Sequence, residues 1–140
     1  MHTELIDLLR TVAGVFQKRM QEQIADNDFG LTVFQARLIN IIGRNHGISQ
    51  LNLGLATDRD KAQIARAVKE LEAFGFVVRS TRAPDWRTKC LTLTPEGRRI
   101  HAHLKDIRSQ LAADMLRGFS DEEKHALQLS LEKMVAAFQN

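Results

Sequence analysis

The sequence predicts a mainly α (α+β) fold: four helices, a two-stranded hairpin, then two more helices. Three observations predict it. Apolar residues recur at spacings of three and four over most of the 140 residues. The pattern turns to short β-branched runs only once, in FVVRSTR and KCLTLT on either side of Ala83-Pro84-Asp85. Helix-start signatures, Ser/Thr/Asp followed three residues later by Glu or Gln, precede three of the apolar runs.

The first helix carries Leu5, Leu8, Leu9, Val12, Val15, Phe16, Met20 and Ile24 on one stripe, with Thr3 as a candidate N-cap. Asp26, Asn27, Asp28 and Gly30 break it. Thr32 and Gln35 form a capping box that opens a second helix through Phe34, Leu38, Ile39, Ile41 and Ile42. Ser49 caps a short third helix, SQLNLGLA. Asp60 and Gln63 open a fourth, whose buried stripe is Ile64, Val68 and Leu71, and Gly75 stands where a left-handed residue ends it. After the hairpin, Thr94-Pro95-Glu96 supplies a cap, a proline in the first position and an acid in the first turn. The fifth helix then runs through Ile100, Leu104, Ile107, Leu111 and Met115 to Gly118. Ser120 and Glu123 make the third capping box, ahead of Leu127, Leu131, Met134 and Phe138.

A short helix, a turn, a longer helix and two strands make a winged helix-turn-helix with a two-stranded wing. The chain reads as a single domain over residues 1–140. Its winged-helix lobe covers about residues 32–94, and a helical dimerisation region covers about 3–26 and 95–138. The outer helices are too apolar on one face to be covered by so small a middle, so a second copy is the economical way to bury them.

Composition excludes several classes. At 44% hydrophobic the chain is not disordered, and no apolar run of about 18 residues offers a membrane span. The start, MHTELIDLLR, lacks the basic and apolar regions of a signal peptide. Cys90 is the one cysteine, which rules out an intrachain disulfide and suits a reducing cytoplasm. Net charge is +3, but residues 59–89 hold eight basic residues against four acids, leaving −1 for the rest. A localised basic segment is the electrostatic footprint of a polyanion partner, with a solvated basic face as the plain alternative.

DKAQIARAVKELEAFGFVVR, then PDWR, then LTLTPEG, together resemble the MarR family of bacterial transcriptional regulators. The likeness covers Leu31 to Gly97 by motif and the whole chain in helix order. One departure is Leu53-Gly54, where the family pattern has Leu-Ala; glycine there costs about 1 kcal/mol of helix propensity. The resemblance implies a homodimer, a pseudo-palindromic double-stranded DNA operator and, often, control by a small aromatic or phenolic ligand or by oxidation. It implies no cofactor and no enzymatic activity.

With Ile64 at the centre of the buried face, the other side of the fourth helix presents Ala62, Arg66, Lys69, Glu70 and Ala73, with Gln63 at its edge. Arg66 suits a guanine edge, Gln63 an adenine edge and Ala62 a thymine methyl; Lys61 and Lys69 suit phosphates. Alternatively, Gln63 only closes its capping box and Arg66 only pairs with Glu70. Ser49 and Gln50 open the third helix, whose amides suit phosphate. On the wing, Arg87 suits a narrow minor groove, Asp85 is placed to grip Arg87, a role the resemblance also implies, and Arg82 and Lys89 suit phosphates. Trp86 either packs the wing or props Arg87.

The family's effector site implies a pocket where the first, second and fifth helices meet. Val12, Phe16, Phe34, Leu38 and Ile41 are its apolar candidates and Arg19 or His101 its polar anchor; the alternative is that these side chains fill the core. His101 and His103 lie about 200° apart around a helix, so they share no metal face. No phosphate-binding loop, dinucleotide glycine pattern or nucleophile elbow is present, so catalysis is not expected. Cys90 reads as a small hydrophobe or, less simply, an oxidant sensor. A winged-helix protein-interaction module that leaves DNA alone is the competing reading.

Overall fold

Every helix after the first begins where its capping chemistry dictates. The computed structural model describes residues 1–81 and 89–139. In chain order the elements are α1 (His2–Asp26), α2 (Val33–Arg44), β1 (Ile48–Ser49), α3 (Gln50–Thr57), α4 (Lys61–Ala73), β2 (Val77–Thr81), β3 (Lys89–Leu93), α5 (Pro95–Met115) and α6 (Asp121–Ala136). The mostly helical winged fold expected from the sequence is the one that forms. Two compact units divide the chain, Met1–Arg108 and Ser109–Asn140.

All three capping boxes close. The Thr32 hydroxyl accepts the Gln35 N–H at 3.1 Å while Gln35 Oε1 accepts the Thr32 N–H at 2.9 Å. Asp60 accepts the Gln63 N–H at 2.8 Å, and Ser120 and Glu123 exchange bonds of 3.1 and 2.9 Å. Ser49 caps α3 by accepting the Asn52 N–H at 3.0 Å. Thr3, by contrast, lies inside α1: the Leu5 N–H already bonds the Met1 carbonyl at 3.0 Å, two residues before a Thr3 cap would begin.

The sheet has one strand more than the sequence predicts. β3 is central and pairs antiparallel with β2 in the register Val77↔Leu93 to Thr81↔Lys89. On its other edge it pairs with β1, Ile48↔Leu91 and Ser49↔Cys90, after the Gly47 N–H has bonded the Leu91 carbonyl at 3.0 Å.

The core of the first unit is made by Leu38, Ile39 and Ile42 of α2, Leu53 of α3, Ile64, Val68 and Leu71 of α4, and Leu91 of β3, all nearly fully buried. α2 and α3 lie against β3, and α4 against α3 and β2. Thr94 ties the hairpin to α5: its hydroxyl accepts the Gly97 N–H at 3.0 Å and donates to the Gly75 carbonyl at 2.6 Å, where Gly75 takes φ +83°. Gly97 is required for closeness, since a Cβ there would collide with the Phe76 carbonyl.

The two glycines give opposite expectations. A Cβ at helical Gly54 would meet Ile64 Cγ1 at 3.6 Å and the Arg59 carbonyl at 3.8 Å, ordinary contacts. Gly54→Ala is therefore expected to stabilise the chain by about 0.5–1 kcal/mol, raising the melting midpoint by a few degrees. Gly97→Ala is expected to destabilise it by about 1–3 kcal/mol, because backbone must move. Urea titrations of the two variants against the parent check both signs.

Candidate nucleic-acid interface and an arginine-lined cavity

The inward stripe of α4, Ile64, Ala67, Val68 and Leu71, is buried. That leaves Lys61, Ala62, Gln63, Arg66 and Lys69 exposed along the outer side. The pairing that would occupy Arg66 does not form. Glu70 instead accepts a hydrogen bond from Gln35 Nε2 at 2.5 Å, and among the described residues Arg66 makes no ion pair. Gln63 does close the box, but its side-chain bond to the Asp60 N–H is long, 3.4 Å. Arg79 is committed elsewhere: its Nε sits 2.8 Å from Glu72, a half-buried brace between β2 and α4.

Ser49 is half-buried and its hydroxyl is used in capping; Gln50 has an enclosed Oε1 with no hydrogen-bond partner. Lys89 is exposed at the start of β3. Arg82, Asp85, Trp86 and Arg87 lie outside the described residues. Cys90 is buried on β3, opposite Ser49 and Ser80. Among the described residues no group of His, Cys, Asp and Glu could hold a metal ion, and no helix is long and apolar enough to cross a membrane.

Where α1, α2 and α5 meet, the first unit contains a cavity of about 510 Å³. Its apolar wall includes Phe16, Met20, Ile24, Phe34, Ile41 and Leu104. Its charged groups are Arg37, Arg44, Arg59 and Arg108, and no carboxylate residue lines it among the described residues. Of the pocket residues expected from the sequence, Phe16, Phe34 and Ile41 line it. Leu38 sits in the core at 0% exposure instead. Val12 is exposed on α1, and Arg19 is also exposed, 3.5 Å from Glu22. His101 does not line the cavity; it is half-buried against Gly43, where an added Cβ would meet its ring at 2.6 Å. The arginines were missed, although Phe34, Arg37, Ile41 and Arg44, spaced three, four and three, mark an α2 face distinct from the core face.

Two groups here have shifted protonation. Burial, then Lys105, Arg44 and His46, holds the His101 imidazole below its ordinary value. Burial, then Arg44, lowers the Arg108 guanidinium.

No protein-family model matches the chain. A putative transcriptional regulatory protein for the hcr operon of Thauera aromatica is 33% identical over 98 residues, which are 70% of this chain and 59% of that protein. Among solved structures, Streptococcus pneumoniae FabT in complex with DNA superposes with a TM-score of 0.87 at 17% identity, over 99% of this chain and 98% of that one. A putative MarR family transcriptional regulator from Listeria monocytogenes, complexed with a 26mer DNA, gives 0.83 at 21% identity over 94% and 87%. This chain has the MarR-family fold. Within the MarR fold α3, the turn at residues 58–60 and α4 are the helix-turn-helix, and β2 and β3 are the strands of the wing hairpin.

His101 gives this MarR fold a pH signature. Its folded pKa is below the unfolded value of about 6.5, so the unfolded chain binds the extra proton as pH falls. Stability is expected to be complete above that value and to fall as pH drops from it through the folded pKa. Denaturant titrations from pH 7.5 to 5 should show the decline, and His101→Gln should flatten it.

Proposed function

We propose that this chain is a sequence-specific double-stranded DNA-binding transcriptional regulator. It acts as a homodimer on a pseudo-palindromic operator, as a repressor that a small aromatic or phenolic effector releases. The observation that carries the reading is the outer side of α4, where Arg66 stands exposed and unpaired among the described residues, beside Lys61, Gln63 and Lys69. Two solved relatives of the same fold, both named above, were captured on DNA, which supports the same use of the helix here. The Thauera aromatica relative is a putative transcriptional regulatory protein, which supports the same reading. On this reading the protein works in the cytoplasm.

Arg66 and Gln63 read base edges, Ala62 touches a thymine methyl, and Lys61, Lys69, Ser49 and Gln50 hold phosphates. The wing supplies Arg87 to the minor groove with Asp85 aiming it, and Arg82 and Lys89 to the backbone. Residues 32–94 are the reading lobe, and residues 3–26 and 95–138 the dimerisation helices. Apolar exposure supports that division. α1 leaves Leu5, Ile6, Leu8, Val12 and Val15 exposed, and α6 leaves Leu127, Leu129, Leu131, Met134 and Val135 exposed. The effector occupies the arginine-lined cavity and releases DNA by favouring a spacing of the two reading lobes that does not fit both grooves.

The test is selection of bound sequences from a random duplex library, followed by anisotropy titrations over a salt series. Two half-sites about 10 base pairs apart, centre to centre, are expected. Arg66→Ala should relax preference at one position per half-site, by about 1–3 kcal/mol. Lys69→Ala should weaken all sequences alike and reduce the salt slope by about 1. Salt-independent or absent duplex binding would instead favour the protein-interaction module.

The dimer has its own test. Replacing Leu131 and Met134 together by Asp puts charge into the apolar face of α6, and the variant is expected to be monomeric or unfolded. Sedimentation equilibrium at micromolar concentration checks this, with a dimer expected for the parent and a monomeric parent overturning the proposal.

A further inference from the structure

We propose that the cavity takes an organic dianion, an apolar ring bearing a phosphate-like headgroup, and that Arg59 carries its occupancy to the start of α4. The proposal deepens the effector reading above, but its binding and coupling steps are measurable without DNA.

The charge balance identifies the ligand class. Arg37, Arg44, Arg59 and Arg108 share one cavity with no carboxylate in its lining, and none of the four has an ion pair among the described residues. Arg37, Arg44 and Arg59 are exposed where they line the cavity and Arg108 is half-buried; burial and then the Arg44 charge lower the Arg108 guanidinium, so an anion beside that pair is favoured. A headgroup with two negative charges supplies one; a neutral ring does not. Guanidinium groups bind phosphate oxygens bidentately, and the apolar wall of Phe16, Phe34, Ile41 and Leu104 receives the ring. At about 510 Å³ the cavity is in the range that holds ligands larger than a single substituted ring.

Arg59 is distinct from the other three because it comes from the helix-turn-helix turn. Its guanidinium carbon lies 4.5 Å from the centre of the Phe34 ring, a cation–π contact across the cavity wall. The residue before it, Asp58, is held in the left-handed region at φ 55°. The residue after it, Asp60, caps α4 by accepting the Gln63 N–H at 2.8 Å, and its carbonyl accepts the Ile64 N–H at 3.1 Å. A dianion in the cavity competes with the Phe34 face for this guanidinium. Drawing Arg59 inward loads a strap one residue long, and the load falls on the cap of α4.

The test titrates 2-naphthyl phosphate and 2-naphthol into the full chain by calorimetry and follows amide hydrogen exchange at Gln63 and Ile64. The phosphate is expected to bind at least tenfold more tightly than the naphthol and to change exchange at both amides about threefold or more. Arg59→Gln should still bind the phosphate through the other three arginines, with its Gln63 and Ile64 exchange unmoved at saturation. Arg37→Gln should lose affinity yet keep the exchange response at saturation. If Arg59→Gln unfolds, Arg59→Lys, which loses the planar fork, makes the same comparison. Equal binding of naphthol, no binding of the phosphate, or an unchanged exchange response in the Arg59 variant would overturn the proposal. A chain that binds no duplex would overturn the DNA reading instead and leave these outcomes readable.

Discussion

The Gln35 side chain is 5% exposed and meets two obligations at once. Its oxygen closes the α2 capping box on the Thr32 N–H, and its nitrogen donates to the Glu70 carboxylate of α4 at 2.5 Å. A buried carboxamide with either end unpaired is costly, and here Glu70, brought to the start of α2, satisfies it. That fixes the rotation of α4, with Ile64, Val68 and Leu71 inward and Arg66 outward. The same bond takes up the one carboxylate four residues from Arg66. A polar contact inside the fold thus decides which cation is left for a partner.

Two arginines, one on α4 and one on β2, show how little charge alone would have told. Arg66 and Arg79 both belong to the basic segment, yet Arg79 braces β2 against Glu72 while Arg66 has no partner among the described residues. A half-buried ion pair of this kind holds geometry more than it adds stability. The charge footprint that points to a polyanion is therefore smaller than the count of basic residues.

Helices and hairpin were legible because their signals are local: caps, the Thr94-Pro95 start, and the change from helical to alternating period. The strand β1 was not, since two residues have no period and its pairing exists only because Leu91 of β3 arrives beside Gly47. Thr3 looked like a cap because caps are read from residue type, whereas the backbone begins its helical bonds earlier. The cavity was half legible. Phe16, Phe34 and Ile41 follow from helix order, but Val12, one turn before Phe16, and Arg19 stay exposed on α1 and do not line it. The arginines escaped because a cation on a helix reads as solvated until the helix's second apolar face is recognised. Arg59 escaped for another reason: no spacing in the sequence shows a turn residue folding back over an aromatic ring of α2.

One feature of α6 bears on how such a chain holds together at all. The helix runs 16 residues with a well-formed capping box, yet none of its residues is buried. Its apolar side chains Leu127, Leu131 and Val135 border an open groove of the second unit, and Met134 is also exposed. A helix of this length is marginal in water on propensity alone, and a cap contributes about 1 kcal/mol. Tertiary or quaternary packing has to supply the rest, and an apolar face spaced at four and three residues supplies it once a like face is laid against it. On the homodimer reading, ordering of α6 and association of two chains are therefore one equilibrium. Stability then depends on chain concentration, and dilution weakens the second unit together with the dimer. On that same reading, two reading helices are held at a fixed spacing only while the equilibrium favours the pair, so anything that loosens the base also loosens the grip on two half-sites.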